Sequence, residues 1–205
     1  LPQIREECVY IKPNFTEKTV VNIIPYKNRK NRFIYAGRLD SSKGIAVLFE
    51  AWRIMGVDGP ELTVCGTGPM ESWCRAYIEF NSLMNVKLLG RVSNMNTKEL
   101  IADSKALILP TRWYEGFPMT IVESYSVGTP VIGADIGNVG IIVEEGVTGW
   151  KFIPDSVESL HNAVRRVEDI SESVIRVFNE RYTSECNYKV LRGIYEQVTS
   201  KHTIK

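Results

Sequence analysis

Arg32-Phe33-Ile34-Tyr35-Ala36-Gly37-Arg38-Leu39-Asp40-Ser41-Ser42-Lys43-Gly44 is the stretch on which the architecture turns. It opens as a short run that is apolar nearly throughout and reaches a glycine, then passes into a polar loop. Beyond the loop, Ile45, Leu48, Phe49, Trp52 and Met55 fall at the i, i+3, i+4, i+7 spacing of one buried helical face. A strand that is apolar along its whole length, not alternately, is covered on both sides, as in a parallel sheet flanked by helices.

The same unit recurs along the chain. Strands are expected over Cys8–Lys12, Arg32–Gly37, Glu61–Gly66, Val86–Leu89, Ala106–Leu109, Pro130–Gly133 and Gly149–Phe152, with amphipathic segments between them. One of those segments carries Val157, Leu160, Val164 and Val167. Repeated strand–helix order predicts an α/β fold: a single Rossmann-like, doubly wound parallel sheet domain. Residues 1–205 are expected to form that one domain, without an interior repeat or linker. Residues 171–205 read as a helical tail, with Val174, Phe178 and Tyr182 on one helix and Tyr188, Leu191, Tyr195 and Val198 on another. Such a tail packs back on its own sheet or reaches to a neighbouring domain.

At 205 residues, 44% hydrophobic and 24% charged, the chain suffices for a sizeable core. A net charge of +1 gives no pull toward nucleic acid. Apolar runs fall far short of the roughly 18–20 residues needed to span a bilayer, and the first ten residues carry no apolar leader. The location expected is cytoplasmic, up to the cytoplasmic face of a membrane. Cys8, Cys65, Cys74 and Cys186 form no Cys-x-x-Cys pair and are expected to be reduced, mostly buried thiols. The run Lys27-Asn28-Arg29-Lys30-Asn31-Arg32 reads as a solvated cationic loop.

Ligands of open parallel sheets sit beyond the carboxyl ends of the strands, so the loops there carry the candidate chemistry. In Gly37–Gly44, a glycine turn, Arg38, Lys43 and a following helix N-terminus compose either a diphosphate cradle, with a planar fork, a point charge and a helix dipole, or simply a solvated basic loop. Gly66-Thr67-Gly68-Pro69 makes a tight turn with Pro69 in the first turn of the next helix, and Glu71 stands where a dinucleotide fingerprint has its third glycine. In Glu115-Gly116-Phe117-Pro118-Met119-Thr120-Ile121-Val122-Glu123, Pro118 opens a helix, leaving the amides at Phe117 to Thr120 free for an anion or a sugar hydroxyl. The two carboxylates either serve a ligand or simply favour the helix N-terminus and water.

Taken in order with Gly90-Arg91-Val92 and Glu145-Gly146-Val147-Thr148-Gly149, these loops resemble the donor-binding C-terminal domain of family-4 retaining glycosyltransferases of the GT-B fold. The resemblance runs from about Val9 to about Tyr195. It implies that Arg38 and Lys43 neutralise the diphosphate of a nucleotide-diphospho-sugar, a UDP-sugar first and a GDP-sugar second. It further implies that Glu115 contacts the transferred sugar and that Glu123 bonds the ribose hydroxyls. Gly37, Gly116, Phe117, Pro118, Met119 and Thr120 then line sugar and phosphate, and Arg91 and Val92 run beside the base. Glu115, Arg38 and Lys43 are the candidate catalytic groups; no metal and no other cofactor is expected, and no Asp-x-Asp occurs.

Gly137-Asn138-Val139-Gly140-Ile141 departs from the family's Gly-Gly-x-Pro-Glu, and no contact is carried over to it. Trp113 and Tyr114 either wall the sugar pocket or pack structurally. The acceptor domain, with the family's active-site histidine, is expected to lie outside this chain, because His161 and His202 fall on or after a late helix. Two other classes share the donor reading: half of a sugar-nucleotide epimerase, and a non-catalytic nucleotide-binding module.

Overall fold

Every residue of β1 (Arg32–Ala36) is buried, which is the signature of a central strand covered on both faces. In the computed structural model, which describes residues 9–18 and 20–202, β1 pairs in parallel with β2 (Glu61–Cys65) on one side and β4 (Ala106–Leu109) on the other. With β3 (Val86–Gly90), β5 (Val131–Ala134) and β6 (Gly149–Phe152), the sheet has the order β3-β2-β1-β4-β5-β6. This is the doubly wound Rossmann-like order, which reverses direction between β1 and β4.

The helices are α1 (Ile45–Met55), α2 (Glu71–Phe80), α3 (Asn94–Ala102), α4 (Met119–Ser126), α5 (Gly137–Ile142), α6 (Val157–Arg165), α7 (Ser171–Arg181) and α8 (Ser184–His202). Successive side chains of β1 feed opposite layers. Phe33 and Tyr35 join Leu48, Phe49 and Trp52 of α1 and Leu160 and Val164 of α6. Ile34 and Ala36 join Ile121 and Tyr125 of α4 and Val174 and Phe178 of α7. Trp52 is fully buried with its Nε1 donating to the Pro60 carbonyl at 2.8 Å, so its polar edge is satisfied as its rings fill the core.

Six strands lie within a residue of where the sequence puts them; the seventh does not. Cys8 lies outside the described residues, and residues 9–12 form no strand. The backbone here bonds to the α7–α8 joint instead of a sheet edge: Thr16 N donates to Tyr182 O at 3.1 Å, and Asn187 Nδ2 to Pro13 O at 2.8 Å.

The cationic run is also corrected. Lys27 and Lys30 are exposed, but Arg29 and Arg32 are only 4% and 5% exposed. Arg29 donates to the Ile24 and Gly128 carbonyls and to Thr129 Oγ1; Arg32 binds Ser104 Oγ, the Leu100 carbonyl and Asp103. Both guanidiniums satisfy polar groups beneath the sheet. After the Gly66–Gly68 turn, α2 starts at Glu71, so Pro69 precedes its first turn.

Candidate functional site

The loop after β1 is built to hold two cations apart. Gly37 N donates to Cys65 O and Leu39 N to Thr67 O, which lace this loop to the one after β2. Their approach is so close that a Cβ on Gly66 (φ 146°) would stand 1.8 Å from the Gly37 carbonyl oxygen. Asp40 accepts from Ser42 N (3.0 Å) and Ser42 Oγ (2.9 Å), and those bonds hold its carboxyl below the usual range. The short turn Ser41–Lys43 ends on Gly44 in the left-handed region (φ 70°), packed on the Pro110 carbonyl of the loop after β4. Tyr35, under Gly37, donates its hydroxyl to Arg38 O at 2.7 Å. Burial raises the Tyr35 pKa and keeps that donor protonated.

Across the switch point, the loop from Pro110 to Pro118 carries Glu115. Lys43 Nζ lies 2.5 Å from Glu115 Oε1, and Thr111 Oγ1 donates to the same oxygen at 3.0 Å. Glu123, on α4, accepts from Asn94 Nδ2 at 2.8 Å. The loop is tied down at two further points. Arg112 pairs with Asp155 at 2.8 Å, and Asn138 Nδ2 donates to the Glu115 and Gly116 carbonyls.

Two adjoining compartments open over these strand ends. One, of about 580 Å³, is lined by Gly37, Arg38, Arg91, Val92, Thr120 and Glu123, with Asn94 and Thr97 beside them. The other, of about 430 Å³, is lined by Gly37, Arg38, Lys43, Thr111, Glu115, Pro118, Met119, Thr120 and Val139. Ala36, Gly37, Arg38 and Thr120 belong to both. Arg38 is 67% exposed and only loosely paired, 3.7 Å from Asp40. A forked cation thus stands on the wall between the two spaces.

Ten of the twelve residues singled out in the sequence line these compartments; Gly116 and Phe117 do not. Gly116 gives its carbonyl to Asn138, and the Phe117 ring turns to the core, 6.3 Å from the Tyr182 ring. Trp113 and Tyr114 are 65% and 74% exposed and line neither compartment. His161 lies on α6, also outside both compartments. Sequence reading missed Asn94, Thr111 and Asn138, neutral side chains: Asn94 and Asn138 find their partners in distant parts of the chain, and Thr111 reaches Glu115 within its own loop. No spacing signal announces them.

The family profile described as "Glycosyl transferases group 1" matches residues 17–180. A glycogen synthase of Mycobacterium tuberculosis is 27% identical over 185 residues, 85% of this chain and 44% of that protein. The chain therefore spans less than half the length of that relative. Among solved structures, the lipopolysaccharide outer core galactosyltransferase WaaB superposes with a TM-score of 0.76 at 22% identity, covering 90% of this chain and 54% of that one. Anabaena HepE, solved in complex with UDP, does so at 0.72 and 21%, covering 85% and 50%. Among the described residues no helix is long and apolar enough to cross a membrane.

Proposed function

This chain belongs to the glycosyl transferases group 1, and from that premise we propose that it is the donor-binding half of a GT-B retaining glycosyltransferase. The single observation that carries the reading is the divided cleft: one compartment bounded by Arg91 and Glu123, the other by Lys43 and Glu115, with Arg38 on the wall between. A nucleotide-diphospho-sugar is divided the same way. Its nucleoside takes the larger space, with Glu123 toward the ribose and Arg91–Val92 beside the base. Its sugar takes the smaller one, against Glu115, and the diphosphate crosses at Arg38 and Lys43.

Chemistry follows from charge. As the bond from the anomeric carbon to the diphosphate oxygen breaks, negative charge builds on the departing phosphate. The guanidinium of Arg38 and the ammonium of Lys43 stabilise that charge, with no reorganisation needed at the moment of reaction. Amides at the first turn of α4 add the positive end of a helix. Glu115, bonded to both Lys43 and Thr111, is a fixed acceptor for sugar hydroxyls and not a mobile nucleophile. An acceptor hydroxyl must be held by residues beyond these, which the reading assigns to a separate acceptor domain. UDP-sugars are preferred over GDP-sugars on the precedent of relatives such as HepE, and a metal is not required.

Calorimetry with UDP, GDP and UDP-glucose tests this. The expected result is saturable binding of UDP in the micromolar-to-millimolar range, weakened about ten-fold or more in Arg38→Ala. Absence of binding by all three nucleotides at millimolar concentration overturns the reading.

A further inference from the structure

At the opposite end of the sheet from the cleft, a cavity of about 370 Å³ opens beside the amino ends of β1 and β4. Its size lies within the range usual for small-molecule sites. It shares no lining residue with the two compartments over the strand ends. Three basic side chains line it, Lys105, His161 and Arg165, and no carboxylate does. His161, Val164 and Arg165 lie at i, i+3 and i+4 and so share one face of α6. Lys105 comes from the sheet, its backbone N–H held by the Arg32 carbonyl at 2.7 Å. Ile54 and Met55, at the end of α1, join Val164 and Val167 as the apolar wall.

Among the described residues none of the three cationic groups has an ion pair, and neither His161 nor Arg165 has a side-chain hydrogen bond. Lys105 Nζ donates to the Tyr26 carbonyl at 2.8 Å and lies 3.9 Å from the centre of the Tyr26 ring. Both partners are neutral, so the charge is left unmatched. Partial burial and then Arg29 lower the Lys105 pKa, and the opposing pull of Asp169 is smaller than either. The dipole of α6 accounts for a cation at Arg165, in its last turn, but not for one at Lys105. We propose that this cavity is a second ligand site, separate from the donor cleft, which takes a small organic phosphate. A phosphate dianion balances the charges of Lys105 and Arg165, with the guanidinium forking onto two oxygens. His161 adds a ring N–H donor. The apolar wall receives a ring or short chain on the ester side, which inorganic phosphate does not have.

The probes are phenyl phosphate, inorganic phosphate and benzyl alcohol, titrated into the ¹⁵N-labelled chain and followed by amide shifts. Phenyl phosphate is expected to saturate in the micromolar-to-millimolar range, moving the amides of Lys105, His161 and Val164, and to bind at least about five-fold tighter than either other probe. Its affinity should fall about five-fold or more in Arg165→Gln, and likewise in Lys105→Gln, which keeps an N–H for the Tyr26 carbonyl. Arg165 is exposed, so that variant keeps the test decisive even if Lys105→Gln is unstable. UDP affinity should stay within about two-fold of wild type in both. A parallel drop in UDP affinity in Arg165→Gln would assign the residue to the fold and overturn the proposal. Shifts confined to Arg38, Arg91 and Glu123 would put the probe in the donor cleft and overturn it too. So would inorganic phosphate binding as tightly as phenyl phosphate, undiminished affinity in Arg165→Gln, or no saturation up to about 10 mM. Should wild type bind phenyl phosphate here but no UDP, the donor reading fails and this site stands.

Discussion

Lys43 and Glu115 neutralise each other across 2.5 Å, and this changes what removing either should do. Glu115→Gln releases the ammonium, so UDP should bind several-fold tighter, the part left after solvent screening of the roughly 4 kcal/mol that a unit charge at contact distance is worth at an effective dielectric of about 20. The gain from an attached sugar should vanish in the same variant. Calorimetry with UDP and UDP-glucose checks both halves, and weaker UDP binding would sink the argument. At Arg38, a change to lysine should cost nearly as much as a change to alanine, because a point charge does not replace a fork. Burial lifts the thiols of Cys65 and Cys74 to about 11 each, so both stay protonated at neutral pH. Mass spectrometry after brief iodoacetamide treatment should therefore find Cys186, which is partly exposed, labelled well ahead of Cys65 and Cys74. The charged residues of the cleft were legible because a charge at a strand end has few uses besides a ligand or water. Asn94, Thr111 and Asn138 were not, because a neutral polar side chain declares its role only when the chain brings a partner to it.

Turns, strands and helices make their own demands. A Cβ at Gly66 would meet the Gly37 carbonyl at 1.8 Å, backbone against backbone, on a φ of 146°. Gly66→Ala should therefore lose at least about 2 kcal/mol in urea unfolding, and UDP affinity with it. Arg29→Met leaves the Ile24 and Gly128 carbonyls without their donor under the sheet. About 2–4 kcal/mol should disappear in the same assay, although the sequence reads this arginine as part of a wet loop. On α1, Glu50 accepts from Arg53 and from the Tyr77 hydroxyl, and those bonds lower its pKa to about 2. A lowered carboxylate contributes stability above its unfolded value of about 4.3 and loses it as pH falls toward the folded value. Between those limits the fall of stability with acid should be shallower in Glu50→Gln than in wild type, as read by chemical denaturation at stepped pH. Strands were legible to within a residue because apolar runs bounded by glycine have one good home in a buried parallel sheet. The reading of Cys8–Lys12 failed over its described part because apolar alternation cannot tell a sheet edge from a strap across a helix joint.

At the scale of the whole molecule, the cleft opens over the carboxyl ends of the strands. In retaining transfer the acceptor hydroxyl must be held close to the anomeric carbon, and such orientation accounts for roughly 7–11 kcal/mol of a barrier. On the proposed reading, residues 1–205 alone bind nucleotide but glycosylate no acceptor; joined to an acceptor domain they should do so, and chelation by EDTA should leave the rate unchanged. Radiolabelled transfer assays with and without that domain decide the matter. The Rossmann-like order itself was legible from the alternation of strand and helix. The division of its mouth was not, since it arises where Gly37 and Arg38, from the loop after β1, meet Thr120 of α4. That shared wall has a practical consequence for chemistry aimed at this fold. A fragment resembling a nucleoside and another resembling a sugar can be found separately, each by its own screen, and can sit side by side. A neutral linker threaded past Arg38 would make the second association intramolecular, at an effective concentration on the order of millimolar. Tight ligands could then be assembled here without carrying any phosphate at all.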